Sequence, residues 1–374
     1  MKAEGTKATI PLAELNHTLK VVERAIARNT TIPVLSCVRI EQLPSGLALE
    51  ATDLDLAIRA VMKDENGGPQ APLVMPAEHF IKWTKLLSGD AVKISATDKR
   101  ATLTSGRARA MLPVFGANQW PNTNIDMSAG EKLEFGQEAL KRALSFAAIS
   151  MSTEDSRYTL NGILLQGDGT NLHVVSTDGH CMTVYTLPAS AKIKLLLPRK
   201  LIKGLLPLLD DEDSTLSLVD SEKRILTIIN DEKISTFLSS SKIAGVFPSW
   251  EKVIPSDKRA CITVDVRELL ESLERCLLLS DADSGCVRLT FSDQIILDAS
   301  SAENGEARET IDCEGHPDES ITVGICGDFL LSLLKMLDGK IRIALPADNM
   351  SSLLFEPVWE GSEKLKYVVM PMRF

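Results

Sequence analysis

The sequence predicts an α+β protein built from three tandem domains of like fold. Three observations predict it. An amphipathic helical pattern recurs at Leu12, Glu138 and Asp265, starts that lie about 126 residues apart, one ordinary domain each. A second helical series falls midway, at Pro76, Pro198 and Cys326. Between the helices the hydrophobic period changes from helical steps to two, the mark of strands.

The first helical series reads Leu12 to Arg28, with Leu15, Leu19, Val22 and Ile26 on one face. It repeats as Glu138 to Met151, with Leu140, Leu144 and Ala147, and as Asp265 to Ser280, with Leu269, Leu273 and Leu277. The second series runs Pro76 to Leu87 (Phe80, Trp83, Leu86), Pro198 to Leu209 (Leu201, Leu205, Leu208) and Cys326 to Leu337 (Phe329, Leu333, Met336). Proline is tolerated in a first helical turn, where its missing N–H has no partner to lose. Each helix of this series stops near Gly or Asp, at Gly89, Asp210 or Gly339. Hairpins are expected at Val38–Ile40 with Leu47–Leu49, Ile163–Leu165 with Leu172–Val174, and Val287–Leu289 with Ile295–Leu297. Turn residues such as Pro44-Ser45-Gly46 and Gly167-Asp168-Gly169 separate the first two pairs. Polar, turn-rich boundaries at Asn122–Glu131 and Pro255–Arg259 divide the chain into 1–125, 126–255 and 256–374.

Composition narrows the function. The 374 residues are 44% hydrophobic and 25% charged, enough for ordinary cores. Aromatics are only 5%, so aliphatic side chains must do most of the packing. A net charge of -10 argues against coating nucleic acid with the whole surface. A local basic face on an acidic body stays open, because the local field governs contact. No apolar run approaches the roughly 18 residues of a membrane span, and the polar Met1–Thr9 does not read as a secretory signal. Seven scattered cysteines, with no Cys-x-x-Cys, read as reduced thiols in a cytoplasmic protein.

Charge is unevenly placed. The helices carry Lys20, Arg24, Arg28, Lys82, Lys85, Lys141, Arg142, Arg199, Lys200, Lys203, Arg267, Arg275 and Lys335. Acidic residues gather in expected connections at Asp210–Asp213, Asp281, Asp283, Glu303, Glu306 and Glu309. The helices either line one shared phosphate-facing surface or are simply solvated faces. The last stretch, Val368-Val369-Met370-Pro371-Met372-Arg373-Phe374, is almost wholly apolar where a terminus is usually polar and frayed. Methionine recurs at surfaces that accept varied partners. Such a tail either packs as a final strand or walls a groove for other proteins.

The chain resembles bacterial DNA sliding clamps, the beta subunits of DNA polymerase III, over essentially its whole length. The motifs that carry the likeness are Thr31-Ile32-Pro33-Val34-Leu35, Ala51-Thr52-Asp53-Leu54-Asp55, Ser105-Gly106-Arg107-Ala108-Arg109 and Arg157-Tyr158-Thr159-Leu160-Asn161-Gly162. Ser176-Thr177-Asp178-Gly179-His180, Leu197-Pro198-Arg199-Lys200, Gly245-Val246-Phe247-Pro248 and the Tyr367–Arg373 tail complete them. The resemblance implies a processivity factor without catalytic activity, metal or cofactor. Two chains would join head to tail, helices lining the hole and sheets outside, a heterologous contact that closes after two copies. Duplex DNA would be encircled without its bases being read. The partners implied are the DNA polymerase III catalytic subunit, an ATP-driven clamp loader and other proteins with a short clamp-binding motif.

Carried over residue by residue, the likeness assigns DNA contact to Arg28, Arg157, Tyr158, Arg199, Lys200 and Lys203. It assigns the partner-peptide groove to Leu160, Thr177, Gly179, His180, Met182, Pro248, Val253, Phe329, Met350, Ser352, Val368, Met370, Pro371 and Met372. Apolar and methionine walls there would accept Leu and Phe of an extended peptide, with Gly179 permitting close backbone approach. The subunit junction falls to Arg107, Arg109, Ala110, Leu112, Leu278 and Leu279, on segments Ala108–Leu112 and Cys276–Ser284.

The sequence departs from the family pattern at Cys181, Thr159, Glu78, Lys252, Ala110, Ser284 and the Gly116–Pro121 loop. Ala110 and Ser284 replace bulkier apolar residues, so less apolar area is available at the junction, at about 25 cal/mol per Å². The alternative function is a divergent clamp paralogue that sequesters partner proteins, or a resistant spare clamp. An enzyme reading would rest on Asp178, His180 and Cys181, but residues this close in sequence rarely form a triad, which assembles from distant segments. There is no phosphate loop or His-Glu-x-x-His either.

Overall fold

In the computed structural model the described residues are 6–63, 68–123, 125, 131–209, 214–231, 233–255, 258–346, 348, 351–360 and 363–373. Asp210–Asp213 and Met350 lie outside them. One element order recurs three times. The first repeat runs β1 (Thr6–Pro11), α1 (Leu12–Val22), β2 (Cys37–Leu43), β3 (Gly46–Thr52), β4 (Leu56–Met62), β5 (Leu73–Pro76), α2 (Ala77–Lys85), β6 (Ala91–Ala96), β7 (Arg100–Ser105) and β8 (Ala108–Pro113). The second runs β9 (Glu131–Gly136), α3 (Gln137–Ala148), β10 (Gly162–Asp168), β11 (Asn171–Thr177), β12 (Cys181–Pro188), β13 (Lys192–Pro198), α4 (Arg199–Leu205), β14 (Thr215–Asp220), β15 (Arg224–Asn230) and β16 (Ile234–Ser241). The third runs β17 (Lys258–Asp265), α5 (Val266–Leu277), β18 (Cys286–Phe291), β19 (Gln294–Ser301), β20 (Gly305–Asp312), β21 (Ile321–Cys326), α6 (Gly327–Leu334), β22 (Lys340–Pro346), β23 (Leu353–Val358) and β24 (Lys364–Val369).

The sheets cut across the repeats. Two eight-stranded sheets run β5-β2-β3-β4-β16-β15-β14-β9 and β13-β10-β11-β12-β24-β23-β22-β17. In each, the fourth strand of one repeat pairs antiparallel with the last strand of the next repeat. β4 pairs β16, with Ile58 opposite Leu238, and β12 pairs β24, with Met182 opposite Val368. Two four-stranded sheets remain, β1-β6-β7-β8 and β20-β19-β18-β21. Internal contacts accordingly divide the chain into two compact units, residues 1–140 with 200–242, and 141–199 with 243–374. Each unit holds one eight-stranded and one four-stranded sheet.

The helices are shorter than the sequence periodicity predicts. α1 ends at Val22 and passes into a 3-10 turn over Glu23–Ala25. Pro76 and Pro198 precede α2 and α4 rather than sitting inside their first turns. Asp265 caps α5, its side chain accepting from the amides of Arg267 (3.0 Å) and Glu268 (3.2 Å), which satisfies two otherwise unpaired donors. Leu86 and Met336, expected on buried faces, are exposed because each lies just past its helix. Glu306 and Glu309, expected in a connection, lie on β20.

Strand burial also departs from simple alternation in the first eight-stranded sheet. Every residue of β3 is buried. Leu47, Leu49 and Ala51 form one face, and Ala48, Glu50 and Thr52 the other. Glu50 is only 2% exposed. Its carboxylate accepts from Trp120 Nε1 at 2.9 Å and Arg59 Nε at 2.6 Å. Trp120 comes from the Gly116–Pro121 loop, one of the departures from the family pattern, and packs beside Val34, Leu35, Cys37 and Val74. Trp120 of that loop therefore covers Glu50 on the second face of β3. A buried carboxylate is tolerable there only because it is paired.

Candidate functional site

Most of the expected groove residues fall in the second unit, where β12 and β24 run side by side. Met182 and Val368, directly opposite each other, are buried in one apolar cluster with Leu164, Val175, Val184, Phe247, Trp250, Ala344 and Leu354. Half-buried Leu160, Leu196, Val253 and Ile254 pack against this cluster. Met182, Val368, Leu160 and Val253 therefore belong to one apolar patch. Pro248 is exposed beside buried Phe247, and Ser352 is half-buried next to β23.

The tail packs as a final strand and then continues along the surface. Val368 and Val369 finish β24 as buried strand residues. Beyond them the chain stays attached at the surface: the Met370 amide donates to the His180 carbonyl (2.9 Å) and the Met372 amide to the Gly324 carbonyl (2.7 Å). Met370 is 41% exposed, and Pro371 and Met372 are half-buried. The tail thus bridges the end of β12 to β21 and leaves its side chains available.

The turn before β12 is built by Asp178. Its Oδ1 accepts from the His180 and Cys181 amides, both at 2.8 Å. Thr177 Oγ1 accepts from the Gly179 amide (3.1 Å) and donates to the Cys181 carbonyl (2.7 Å). Gly179 has φ +94°, and a Cβ there would stand 2.7 Å from Arg157 Nη1. The positive φ favours glycine there, and a larger residue would also have to displace the end of the Arg157 side chain. Arg157 Nη1 donates to the Asp178 carbonyl at 2.6 Å. His180 is exposed, and its ring stacks on Phe329 at 6.1 Å and 11°. Phe329 is held from behind by Tyr367, whose hydroxyl donates to the Phe329 carbonyl at 2.9 Å.

This geometry removes the basis for nucleophilic chemistry at residues 178–181. Asp178 is committed to backbone amides, and His180 stacks on an aromatic ring. Cys181 is buried, and burial together with the nearby Asp178 charge pushes its thiol up to about 12. A thiol so placed is not ionised near neutrality. Among the described residues no group of three metal-ligating side chains converges.

The basic candidates fall into two classes. Arg157, Arg199 and Lys200 are held by acceptors within the chain. Arg157 Nε pairs with Glu154 (3.2 Å). Arg199 reaches the Ser152 carbonyl (3.2 Å) and Asp155 (3.4 Å). Lys200 Nζ bridges Asp53 (2.8 Å) and Asp55 (2.6 Å). Partial burial opposes the Lys200 charge, but these two carboxylates outweigh it and raise its pKa. Arg28 and Lys203 are exposed and pair with no carboxylate among the described residues. Tyr158 is exposed, its ring close to Gly245. On α2, Glu78 pairs with Lys82 at 2.6 Å, so the departure at Glu78 neutralises a neighbouring cation.

At the expected junction, Arg107 lies in the β7–β8 turn, and Arg109, Ala110 and Leu112 on β8, the last strand of its sheet. Leu278 is 77% exposed and Leu279 half-buried after α5. The sequence reading missed Met111, 57% exposed on β8. It also missed the open edge strand β20, whose alternating charged residues resemble a surface connection. The buried cluster of Leu164, Val175, Val184 and Leu354, against which Leu160 and Val253 pack, was missed as well. β10 and β12 are buried almost continuously along their length, so strand period alone does not single these residues out.

Comparison with known proteins places this architecture. Residues 6–124 match the N-terminal domain of the DNA polymerase III beta subunit, 134–249 the central domain and 251–373 the C-terminal domain. The beta sliding clamp of Pseudomonas putida is 30% identical over 98% of this chain and 99% of its own length. That of Escherichia coli is 26% identical over 98% and 100%. The structure of the Pseudomonas aeruginosa beta subunit superposes with a TM-score of 0.90 at 27% identity, covering 98% of this chain and 100% of that one. The C. crescentus beta sliding clamp, solved with PEG bound to its putative beta-motif tethering region, gives 0.89 at 28%, covering 99% and 100%. With all three domains matched in order and relatives aligned end to end, the chain belongs to the bacterial beta sliding clamp family and is a processivity clamp of DNA replication.

Proposed function

We propose that two copies of this chain, each of repeats 1–125, 126–255 and 256–374, close head to tail around duplex DNA and hold replication proteins through the groove on β12 and β24. The observation that carries the ring is the order of the strands. Twice within the chain, the fourth strand of a repeat pairs with the last strand of the next repeat, as β4 with β16 and β12 with β24. The third repeat's β20 and the first repeat's β8 are the corresponding strands left at sheet ends. Pairing β20 of one copy with β8 of another continues the same rule and, applied twice, leaves neither edge open. The charges agree in balance: β8 and its turn carry Arg107 and Arg109, while β20 carries Glu306, Asp312 and Glu309, the last already paired with Arg275, against a single Arg308.

Retention on DNA then comes from topology, and phosphate contacts need only be weak. Arg157, Arg199 and Lys200 suit that role, because each is already partly neutralised by the chain's own acceptors. Arg28 and Lys203 offer the freer charges, and Tyr158 an exposed ring. No base edge need be read. For partners, we assign Leu160, Thr177, Gly179, His180, Met182, Pro248, Val253, Phe329, Ser352, Val368, Met370, Pro371 and Met372, with Met350 by resemblance alone, to a site of apolar floor and methionine rim, suited to Leu and Phe of an extended peptide from a polymerase or loader. A Pseudomonas aeruginosa relative has been solved bound to griselimycin, which makes that compound one ligand to test against the groove of this chain.

Sedimentation across a dilution series tests the ring. A species at twice the 40.8 kDa chain mass is expected at micromolar concentration and below. A monomer throughout that range would overturn the closed dimer and favour a paralogue acting only through its groove.

A further inference from the structure

We infer that Cys286 and Cys326 form a dithiol site that closes reversibly into a cross-strand disulfide. Cys286 opens β18 and Cys326 closes β21, and the antiparallel register sets them directly opposite each other. The Gly327 amide donates to the Gly285 carbonyl at 2.9 Å. That bond belongs to the neighbouring residue pair, so Cys286 and Cys326 occupy a non-hydrogen-bonded pair, where side chains approach most closely. Such a pair has Cα atoms about 4.5 Å apart, within the roughly 4.4–6.8 Å range of disulfides. Opposed residues point to the same face of the sheet. The Cys326 sulfur lies by the backbone next to Cys286: a Cβ on Gly285 would stand 3.6 Å from it. Both cysteines are half-buried, so a small oxidant can reach them. Cys37, Cys181 and Cys276 are buried, and no other cysteine pair shares a strand register among the described residues.

The location gives the site consequence. Cys326 immediately precedes α6, whose Phe329 stacks on His180. Gly324, two residues earlier on the same strand, accepts the tail amide of Met372. A link at Cys326 therefore ties β21 to β18 at the point where β21 also carries the tail and α6. The partner proposed by chemistry is a low-molecular-weight disulfide. One thiolate attacks its sulfur, forming a mixed disulfide and releasing one thiol. The second cysteine, as thiolate, then attacks the protein-bound sulfur and releases the second thiol. Two protein thiols are oxidised and one disulfide is reduced, so atoms and electrons balance. Burial raises the pKa of both thiols, which makes the exchange slow near neutrality rather than absent.

The test incubates the full-length protein with oxidised glutathione, quenches with acid and alkylating reagent, and maps cysteines by mass spectrometry without reduction. A linked Cys286–Cys326 peptide pair is expected, with two fewer alkylated cysteines per chain and full recovery by dithiothreitol. Cys286→Ser and Cys326→Ser should each abolish the link and instead accumulate glutathione on the remaining cysteine. Circular dichroism confirms that each variant is folded. Recovery of both cysteines as separate alkylated or glutathionylated peptides in the folded wild-type protein would overturn the site. The readout is chemical, so it stands or falls independently of the groove assignment.

Discussion

Deleting residues 370–374 should separate the two roles of the C-terminal tail. The deletion removes two backbone hydrogen bonds, from Met370 to His180 and from Met372 to Gly324. Together they contribute about 1–3 kcal/mol to stability. Val368 and Val369 stay in β24, paired with β12 and buried, so the fold should survive with a modestly lower melting temperature. Binding is affected differently. Met370 is 41% exposed and Met372 half-buried, so each has only part of its surface left for a ligand to cover. Full burial of a Met side chain contributes about 1.5–3 kcal/mol, and the uncovered share of the two comes to about 1–2 kcal/mol. The expected loss in affinity is therefore about five- to thirtyfold. Fluorescence anisotropy with a labelled Leu/Phe peptide of the clamp-binding type reads it, with circular dichroism as the control for folding. Affinity unchanged within about twofold in a folded protein would refute the tail as a groove wall.

Other perturbations address the remaining parts of the account. Glu50→Ala should cost about 3–5 kcal/mol, because it strips a buried carboxylate from Arg59 and Trp120; chemical denaturation measures it, and a loss under about 1 kcal/mol would contradict the pairing. Lys203→Glu should weaken DNA binding and reduce its salt slope by about 1 or more without shifting the melting temperature. Arg109→Glu should shift the monomer–dimer equilibrium toward monomer most strongly at low salt, since it replaces attraction to β20 by repulsion; an unchanged sedimentation profile would count against the edge pairing. Cys181 raises its thiol pKa from 9.0 to about 12 on folding. The unfolded chain therefore releases this proton first as pH rises. The stabilisation is fully present below about pH 9 and is lost between 9 and about 12, and native Cys181 should resist alkylation at pH 9 until the protein is unfolded.

Much of the fold was legible because apolar residues recur at helical and strand periods that tertiary packing did not override. Leu15, Leu19, Leu140, Leu144, Leu269 and Leu273 are all buried where periodicity put them. Helix ends were overrun because an apolar residue just past a helix, such as Leu86, continues the spacing without continuing the backbone hydrogen bonds. β3 reads as a half-buried strand, since nothing local announces that Trp120, 70 positions away, covers Glu50 on its other face. β20 hides for the opposite reason: an edge strand is kept charged, and charge in sequence looks like a loop. At the candidate site, the apolar tail and the Thr177–His180 turn stand out by composition. The buried cluster of Leu164, Val175 and Leu354 does not, because buried aliphatic residues look alike until sheet register brings them together. The opposition of Cys286 and Cys326 is likewise a property of register, set by two hairpins and a crossover that their 40-residue separation does not encode.

The most direct test of the account is retention of the loaded protein on DNA of different topology. Clamp assembled on nicked circular duplex, with its loader, should remain bound through gel filtration at high salt and leave promptly once a restriction enzyme linearises the circle. That result would tie the unpaired edges of β8 and β20 to a closed ring held by topology. Equal retention on circles and free-ended linear DNA, falling with salt on both, would mean that the chain binds DNA by charge alone and does not encircle it.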